Sequence, residues 1–272
     1  MPETSERLDV RKTYKMLIGG KFVRTESGRA LRQGEDNIPR GSRKDVREAV
    51  VAARAGAAKW SAATTMLRGQ VLYRAAEMLD ARRAEFGALL GGGKPGLREV
   101  DDAVACLVWY AGWTDKLHQV IGTVNPVAAP YFTFSLPEPT GIVGVVAPDS
   151  PSLQGIVERI APALCGGNSV VALASETNPI PALVLGEVLA TSDLPAGAVN
   201  IVCGERRELV PWLASHMDVN AIDVSGCTAE QRTEVERAAA DNLKRVTHSA
   251  DRTLDAITAC LELKTVWHPI GA

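Results

Sequence analysis

Residues 142–174, IVGVVAPDSPSLQGIVERIAPALCGGNSVVALA, decide the fold. Two short apolar runs, 142–147 and 169–174, flank a stretch near 151–164 in which apolar residues recur at helical spacing. This pattern predicts a strand, a covering helix and a second strand parallel to the first. Both strands are apolar throughout, which is typical of a parallel sheet that is covered on both faces.

The same alternation continues toward the C-terminus. Further strands are predicted at VNIVCG (199–204), VNAIDVS (219–225) and LKRVTHS (243–249), with helices near 180–191, 206–216 and 228–240. Strands that alternate with helices indicate an α/β fold with right-handed crossovers. We therefore predict a Rossmann-like parallel sheet over residues 139–250.

The part of the chain before this layer is predicted to be mostly helical. Residues 14–23 indicate a small hairpin, and helices are predicted at 43–60, 66–90 and 97–118. GGGKPG (91–96) does not fit a phosphate-loop motif and is interpreted as a helix terminator. Residues 14–118 thus form an N-terminal helical part, and the polar tail 1–13 is predicted to be disordered.

Two strand patterns lie apart from this alternation. Residues 119–137 predict two strands joined by a proline-containing connection, and LELKTVW (261–267) predicts a strand with no partner nearby in sequence. A short amphipathic piece at 253–260 precedes that last strand. The aromatic residues of these strands favour pairing with another chain, since an isolated hairpin is marginal in water.

The composition excludes several function classes. The 272 residues include 30 basic and 32 acidic ones, for a net charge of −2, without the basic excess of a nucleic-acid-binding protein. No apolar run reaches the roughly 18 residues that predict a membrane span, and residues 1–15 lack the apolar core of a secretory signal. We predict a cytoplasmic protein with neither membrane nor nucleic acid as a partner.

The cysteines and histidines show no metal-site spacing. The five cysteines are odd in number and widely spaced, and the four histidines lie far apart. We therefore predict neither a disulfide framework nor a metal site.

Several motifs, in chain order, carry a resemblance to a known family. They include LIGGKFV (17–23), PEPTGIVGVVAP (137–148), GNSVVALASE (167–176), LPAGAVNIVCG (194–204), SHMDVNAIDVSGCT (215–228) and NLKRVT (242–247). Together they resemble the cofactor-binding half of the aldehyde dehydrogenase superfamily over most of residues 14–247. LELKTVWHPIG (261–271) resembles the C-terminal strand of that family, which pairs with an extended arm, often on a neighbouring subunit. The resemblance implies an oligomerisation arm, a β-flap built from 119–138 and 261–272.

The resemblance also implies that a domain is missing. The catalytic domain with its nucleophilic cysteine lies between the NLKRVT strand and the terminal strand, where this chain has only residues 249–260. Ser150 stands in place of the oxyanion-stabilising asparagine, and Ser249 in place of the glutamate base. Cys260 lacks the motif that surrounds the nucleophile. By this matching no catalytic residue remains, and we predict that the catalytic domain is absent.

The cofactor positions are altered as well. Glu176 matches a residue able to accept a ribose hydroxyl, and Gly226 and Cys227 match a turn whose backbone N–H groups bind an anion. Asp149 replaces a tryptophan near the pyrophosphate. A carboxylate about 4 Å from a phosphate charge is repelled by about 4 kcal/mol at an effective dielectric constant near 20. We predict that no cofactor is firmly bound, with NAD at Glu176, Gly226 and Cys227 as the alternative.

Two points stay open at this level. Cys227, at a predicted helix N-terminus, is either a reactive thiol of lowered pKa or a small buried residue at a tight turn. Asp149 and Glu176 form either a carboxylate pair or, because they follow different predicted strands, two solvated loop acids.

The truncated arrangement is similar to the non-catalytic second domain of the family-sixteen aldehyde dehydrogenases. This similarity implies a pseudoenzyme that acts as a scaffold or regulatory partner of a full-length aldehyde dehydrogenase through the flap, as a homo-oligomer, or both. The alternative is an NAD(P)-dependent oxidoreductase acting on aldehydes with a nucleophile supplied by a partner chain. A third interpretation is a bare nucleotide- or anion-binding module.

Overall fold

The computed structural model describes residues 10–248 and 252–271. The strands are β1 (Met16–Ile18), β2 (Lys21–Val23), β3 (Ala30–Gln33), β4 (Asp36–Pro39), β5 (Thr123–Asn125), β6 (Tyr131–Pro139), β7 (Ile142–Val146), β8 (Ser169–Leu173), β9 (Val199–Val202), β10 (Ala221–Asp223), β11 (Arg245–Thr247) and β12 (Leu261–Pro269). The helices are α1 (Arg43–Ser61), α2 (Thr65–Ala81), α3 (Arg83–Leu89), α4 (Gly93–Ala111), α5 (Leu117–Val120), α6 (Ser152–Cys165), α7 (Ile180–Ala190), α8 (Arg206–Ser215), α9 (Ala229–Ala240) and α10 (Leu254–Thr258).

A seven-stranded sheet forms the centre of the fold, in the order β11-β10-β7-β8-β9-β1-β2. The five strands from β7 to β11 are parallel, and β1 and β2 extend the sheet in antiparallel fashion. Every residue of β7 and β8 is buried, because helices cover both faces. The predicted α/β fold with a Rossmann-like parallel sheet is therefore confirmed.

The helices lie in layers on the two faces of this sheet. α1 and α8 pack together on one face, with α9 against α8 and β11. α6 and α7 cover the other face, and α2 and α4 pack on the outside of α6. The fully buried Trp60 of α1 donates its indole N–H to the carbonyl of Leu164 at 3.1 Å, which fixes α1 to the end of α6.

The N-terminal part differs from the sequence prediction in three places. The helix predicted over 66–90 is two helices, α2 and α3, which meet at Arg82; no glycine or proline marks this break. α4 starts inside GGGKPG, at Gly93. Pro95 is tolerated in its first turn because N–H groups there have no partner within the helix, so the missing N–H of proline costs no hydrogen bond. The hairpin β3–β4 is additional, and its largely polar sequence gave no apolar alternation.

A separate three-stranded sheet, in the order β12-β6-β5, forms the feature that we call the flap. β12 pairs with β6 along its whole length, from Leu261 opposite Pro139 to Pro269 opposite Tyr131. The strand predicted at 261–267 thus finds its partner within the same chain, in the arm predicted at 119–137. Asn168 fixes the base of the flap by donating its side-chain amide to the carbonyl of Cys260 at 2.9 Å.

Some sequence predictions fall beyond the described residues. Residues 1–9, most of the tail predicted to be disordered, lie outside them, and so does Ser249.

Candidate functional site

The strand order places one crevice at the carboxyl edge of the parallel sheet. From β7 the chain proceeds to β8 and β9 on one side and then returns to β10 and β11 on the other. In open α/β sheets, ligands bind outside the carboxyl ends of the strands at such a reversal. Asp149, Glu176, Arg206 and Gly226 follow β7, β8, β9 and β10 and meet here; we call this group the carboxyl-edge site.

An ion pair occupies the centre of the carboxyl-edge site. Both terminal nitrogens of Arg206 donate to the carboxylate of Asp149, Nη1 to Oδ2 and Nη2 to Oδ1, each at 2.8 Å. Nη2 also donates to the backbone carbonyl of Ala147 at 2.6 Å. Arg206 is only 8% exposed, so this bidentate pair is held in fixed geometry.

The carboxylate of Asp149 collects further donors from the loop after β8. Its Oδ1 accepts from the hydroxyl of Ser175 at 3.0 Å and from the backbone N–H groups of Glu176 at 2.8 Å and Thr177 at 3.3 Å. Burial opposes ionisation of Asp149, but the charge of Arg206 and these hydrogen bonds outweigh it and lower its pKa. Asp149 is therefore an ionised and well-bound carboxylate.

One carboxylate oxygen of Glu176 already accepts a hydrogen bond from the chain itself. Its Oε2 accepts the backbone N–H of Arg206 at 3.0 Å, at the first residue of α8. A carboxylate at a helix N-terminus is favourable because it satisfies an orphan donor and complements the helix dipole. Asp149 and Glu176 both belong to one hydrogen-bond network around Arg206, in which Asp149 is partly buried and Glu176 stays exposed to solvent.

Two other helix N-termini at this edge, those of α6 and α9, are also capped from within the chain. Glu99 of α4 accepts the backbone N–H groups of Leu153 at 2.7 Å and Gln154 at 3.3 Å, at the start of α6. α9 begins with a capping box between Thr228 and Gln231. These donors thus bind groups of the chain itself.

Gly226 and Cys227 form a tight turn between β10 and α9. The N–H of Gly226 donates to the carbonyl of Val146 at 2.9 Å, and the N–H of Cys227 donates to Val224 at 2.9 Å. A Cβ at position 226 would lie 2.1 Å from the carbonyl oxygen of Ala147, so only glycine fits. Burial raises the pKa of Cys227 to about 11, which favours the small structural residue over the activated thiol.

The remaining cysteines are buried free thiols. They are Cys106, Cys165, Cys203 and Cys260. Burial raises the pKa of each of them to about 12. Ser150 is exposed beside the carboxyl-edge site. Within the two described ranges, no three His, Cys, Asp or Glu side chains are grouped as metal ligands would be.

Comparison with known proteins identifies the family. The sequence pattern of the aldehyde dehydrogenase family matches residues 32–250. The chain belongs to the aldehyde dehydrogenase family. Retinal dehydrogenase 2 from Mus musculus is 33% identical over 263 residues, and the match covers 91% of this chain and 50% of that protein. The mitochondrial aldehyde dehydrogenase of Homo sapiens is 34% identical over 219 residues, which cover 77% of this chain and 42% of that protein. The chain thus spans about half the length of the curated relatives it matches.

Solved structures of family members show the same fold. PnpE in complex with nicotinamide adenine dinucleotide has a TM-score of 0.82 at 28% identity, over 87% of this chain and 50% of that one. The NAD+ complex of an aldehyde dehydrogenase from Bacillus cereus has a TM-score of 0.80 at 25% identity, with the same coverage of 87% and 50%. The structural relatives therefore include proteins with NAD bound.

Sequence reasoning missed two residues of the carboxyl-edge site and its surroundings. Arg206 lies in a sequence segment of mixed charge, whose composition does not predict a binding role. The signal that was available is its place at the start of α8, because a cation there is unfavourable with the helix dipole unless an acidic partner is near. Glu99 caps α6 from 54 residues away, a contact that no local pattern indicates. No helix among the described residues is long and apolar enough to cross a membrane.

Proposed function

We propose that this chain is an aldehyde-dehydrogenase-like protein that does not catalyse on its own and serves as a scaffold or regulatory partner of a full-length aldehyde dehydrogenase. The observation that carries the proposal is the flap, a sheet with apolar side chains exposed on both faces and a long strand at its edge. The thiol chemistry and the carboxyl-edge site support the non-catalytic part of the proposal.

The flap has the surface of an assembly element. Val124, Leu263 and Trp267 are exposed to 68%, 59% and 57%. Alternation along the strands puts Val124 on one face of the flap and the other two on the opposite face. β12 is an edge strand of nine residues. A long edge with exposed apolar residues is a template for pairing with another chain.

The thiols support a lack of independent catalysis. A nucleophilic cysteine needs a lowered pKa, from a neighbouring cation, a base or a helix N-terminus. All five cysteines lie in the described part of the chain, and burial raises the pKa of each. The family resemblance puts a catalytic domain in the interval 249–260, and the described residues of that interval, 252–260, contain only the short helix α10.

The carboxyl-edge site supports weak or absent NAD binding. A dinucleotide brings a pyrophosphate, which would need cationic groups and free N–H donors. Here the guanidinium of Arg206 is paired with Asp149, and Glu99 and Glu176 occupy the N-termini of α6 and α8. These internal contacts would compete with a dinucleotide for the same groups, which supports our proposal that NAD is not firmly held.

The second candidate is an NAD(P)-dependent oxidoreductase that acts on aldehydes. The similarity to NAD-bound members of the family, over 87% of this chain, favours it. This function would require displacement of Asp149 or Arg206 and a nucleophile from a partner chain.

Association with a full-length aldehyde dehydrogenase of the same organism tests the proposal. Size-exclusion chromatography with light scattering would be run on the chain alone, on the enzyme alone and on the mixture. We expect a mixed complex that Leu263→Lys abolishes, because a lysine would replace an exposed apolar side chain that association would bury. Leu243→Lys is the matched control, since Leu243 is 90% exposed and lies outside the flap.

Activity measurements separate the two candidates. We expect no NADH formation from NAD and simple aldehydes by the purified chain. Turnover by the isolated chain would support the oxidoreductase instead, and a chain that associates with neither itself nor the enzyme would contradict the scaffold proposal.

A further inference from the structure

The donors around Asp149 form an anion-binding site. They comprise the guanidinium of Arg206, the hydroxyl of Ser175 and the backbone N–H groups of Glu176 and Thr177. Proteins use this combination of guanidinium, hydroxyl and backbone N–H groups to bind phosphate and carboxylate ligands. The carboxylate that these donors bind belongs to the chain itself.

We infer that Asp149 acts as a built-in anion that occupies this site and keeps phosphate-type anions out of the carboxyl-edge site. The inference goes beyond the scaffold function and does not depend on the flap or on a partner chain.

Two of these donors, Ser175 and Arg206, are also held by contacts that do not involve the Asp149 carboxylate. Ser175 is fully buried at the end of β8, and its hydroxyl also accepts the backbone N–H of Asn178 at 2.9 Å. Arg206 is the first residue of α8, and its side chain donates to the carbonyl of Ala147 at 2.6 Å. Loss of the Asp149 carboxylate therefore leaves these donors directed at the same point.

Arg206 would then require a replacement anion. A buried charge whose partner is removed is costly, so a solvent anion that takes the place of the partner is bound favourably. Arg206 is 8% exposed, and this guanidinium would become such a charge in an Asp149→Ala variant.

The guanidinium of Arg206 has hydrogen-bonding capacity beyond the ion pair. Its Nε is buried without a hydrogen-bond partner among the described residues.

Titration with inorganic pyrophosphate and orthophosphate tests the inference, by calorimetry and by the shift of the thermal midpoint. We expect Asp149→Ala to bind either anion at least about 10-fold more tightly than the wild-type chain does. Asp149→Asn is the second variant, because it removes the charge at nearly constant shape and retains an acceptor for the N–H of Glu176. Circular dichroism would establish that each variant is folded.

Two controls make the result specific. Asp218→Ala removes the same charge from an exposed ion pair with Arg54 and is expected to leave pyrophosphate binding unchanged. The double variant Asp149→Ala/Arg206→Met is expected to lose the binding gained by Asp149→Ala. Equal binding by wild type and Asp149→Ala would overturn the inference, and so would absence of binding in both folded Asp149 variants.

Discussion

Replacement of Glu99 tests whether this side chain caps α6 from a distant helix. Its Oε1 accepts two of the first N–H groups of α6, from Leu153 and Gln154, at 2.7 and 3.3 Å. Loss of an N-cap acceptor costs about 1 kcal/mol, and loss of a negative charge at a helix N-terminus costs about 0.3–1 kcal/mol. Glu99→Ala is therefore expected to lower the free energy of unfolding by about 2 kcal/mol.

Two matched variants separate the contributions to this effect. Glu99→Gln retains an acceptor oxygen and loses only the charge, so a loss of about 0.5 kcal/mol is expected. Glu77→Ala removes an exposed glutamate from α2 and is expected to stay within about 0.5 kcal/mol of wild type.

Urea denaturation followed by circular dichroism measures these differences. The thermal midpoint of Glu99→Ala should fall by about 4–8 °C, at roughly 2–4 °C per kcal/mol for a chain of this size. If Glu99→Ala were no less stable than Glu77→Ala, the capping contact would be refuted. If Glu99→Gln were as unstable as Glu99→Ala, the acceptor geometry would not be the cause.

Three further predictions concern buried groups near the carboxyl edge. Burial raises the pKa of Asp223, so the wild-type chain loses stability as the pH rises through the folded-state pKa and this carboxyl ionises. Asp223→Asn should therefore unfold at a higher urea concentration than wild type at neutral and alkaline pH. Its free energy of unfolding should also depend less on pH. Gly226→Ala would put a Cβ 2.1 Å from the carbonyl oxygen of Ala147 and should destabilise the chain by about 2 kcal/mol, whereas Gly112→Ala, with its nearest neighbouring atom at 3.4 Å, should be nearly neutral. Ellman's reagent at pH 8 should label the native thiols slowly, and Cys227, with a pKa raised to about 11, should react before the more deeply buried cysteines.

Each of these three predictions has an outcome that contradicts it. An Asp223→Asn variant that is less stable than wild type at high pH would mean that the carboxylate is stabilising when ionised. Equal stability of Gly226→Ala and Gly112→Ala would refute the close approach of the two loops. Rapid labelling of one native thiol at pH 8 would reveal an activated cysteine and favour an enzymatic function.

The sequence predicted the Rossmann-like layer well, because its strands and helices have strong local patterns. β7 and β8 are apolar runs, and the helix between them has an apolar face that recurs at helical spacing. The motifs around them also identify the family, because they occur in the order in which the family has them. Local periodicity does not specify a break such as the one at Arg82, where the side chain donates to Glu187 on α7 at 2.8 Å.

The candidate site was predicted only in part. The sequence indicated that Glu176, Gly226 and Cys227 lie at strand ends, and that Asp149 replaces a family tryptophan. It did not indicate that Arg206 pairs with Asp149, 57 residues away in the chain. The partners of a charged side chain depend on which strand ends are neighbours, and this is a property of the sheet order.

The sequence by itself thus determined the fold class, the family and the residue types at the carboxyl edge of the sheet. Only the tertiary structure decided that Asp149, Glu176 and Arg206 bind one another and that β12 pairs with β6 of the same chain. The physical reason is that apolar periodicity acts over a few neighbouring residues, whereas ion pairs and strand pairing join groups brought together only when the whole sheet has formed.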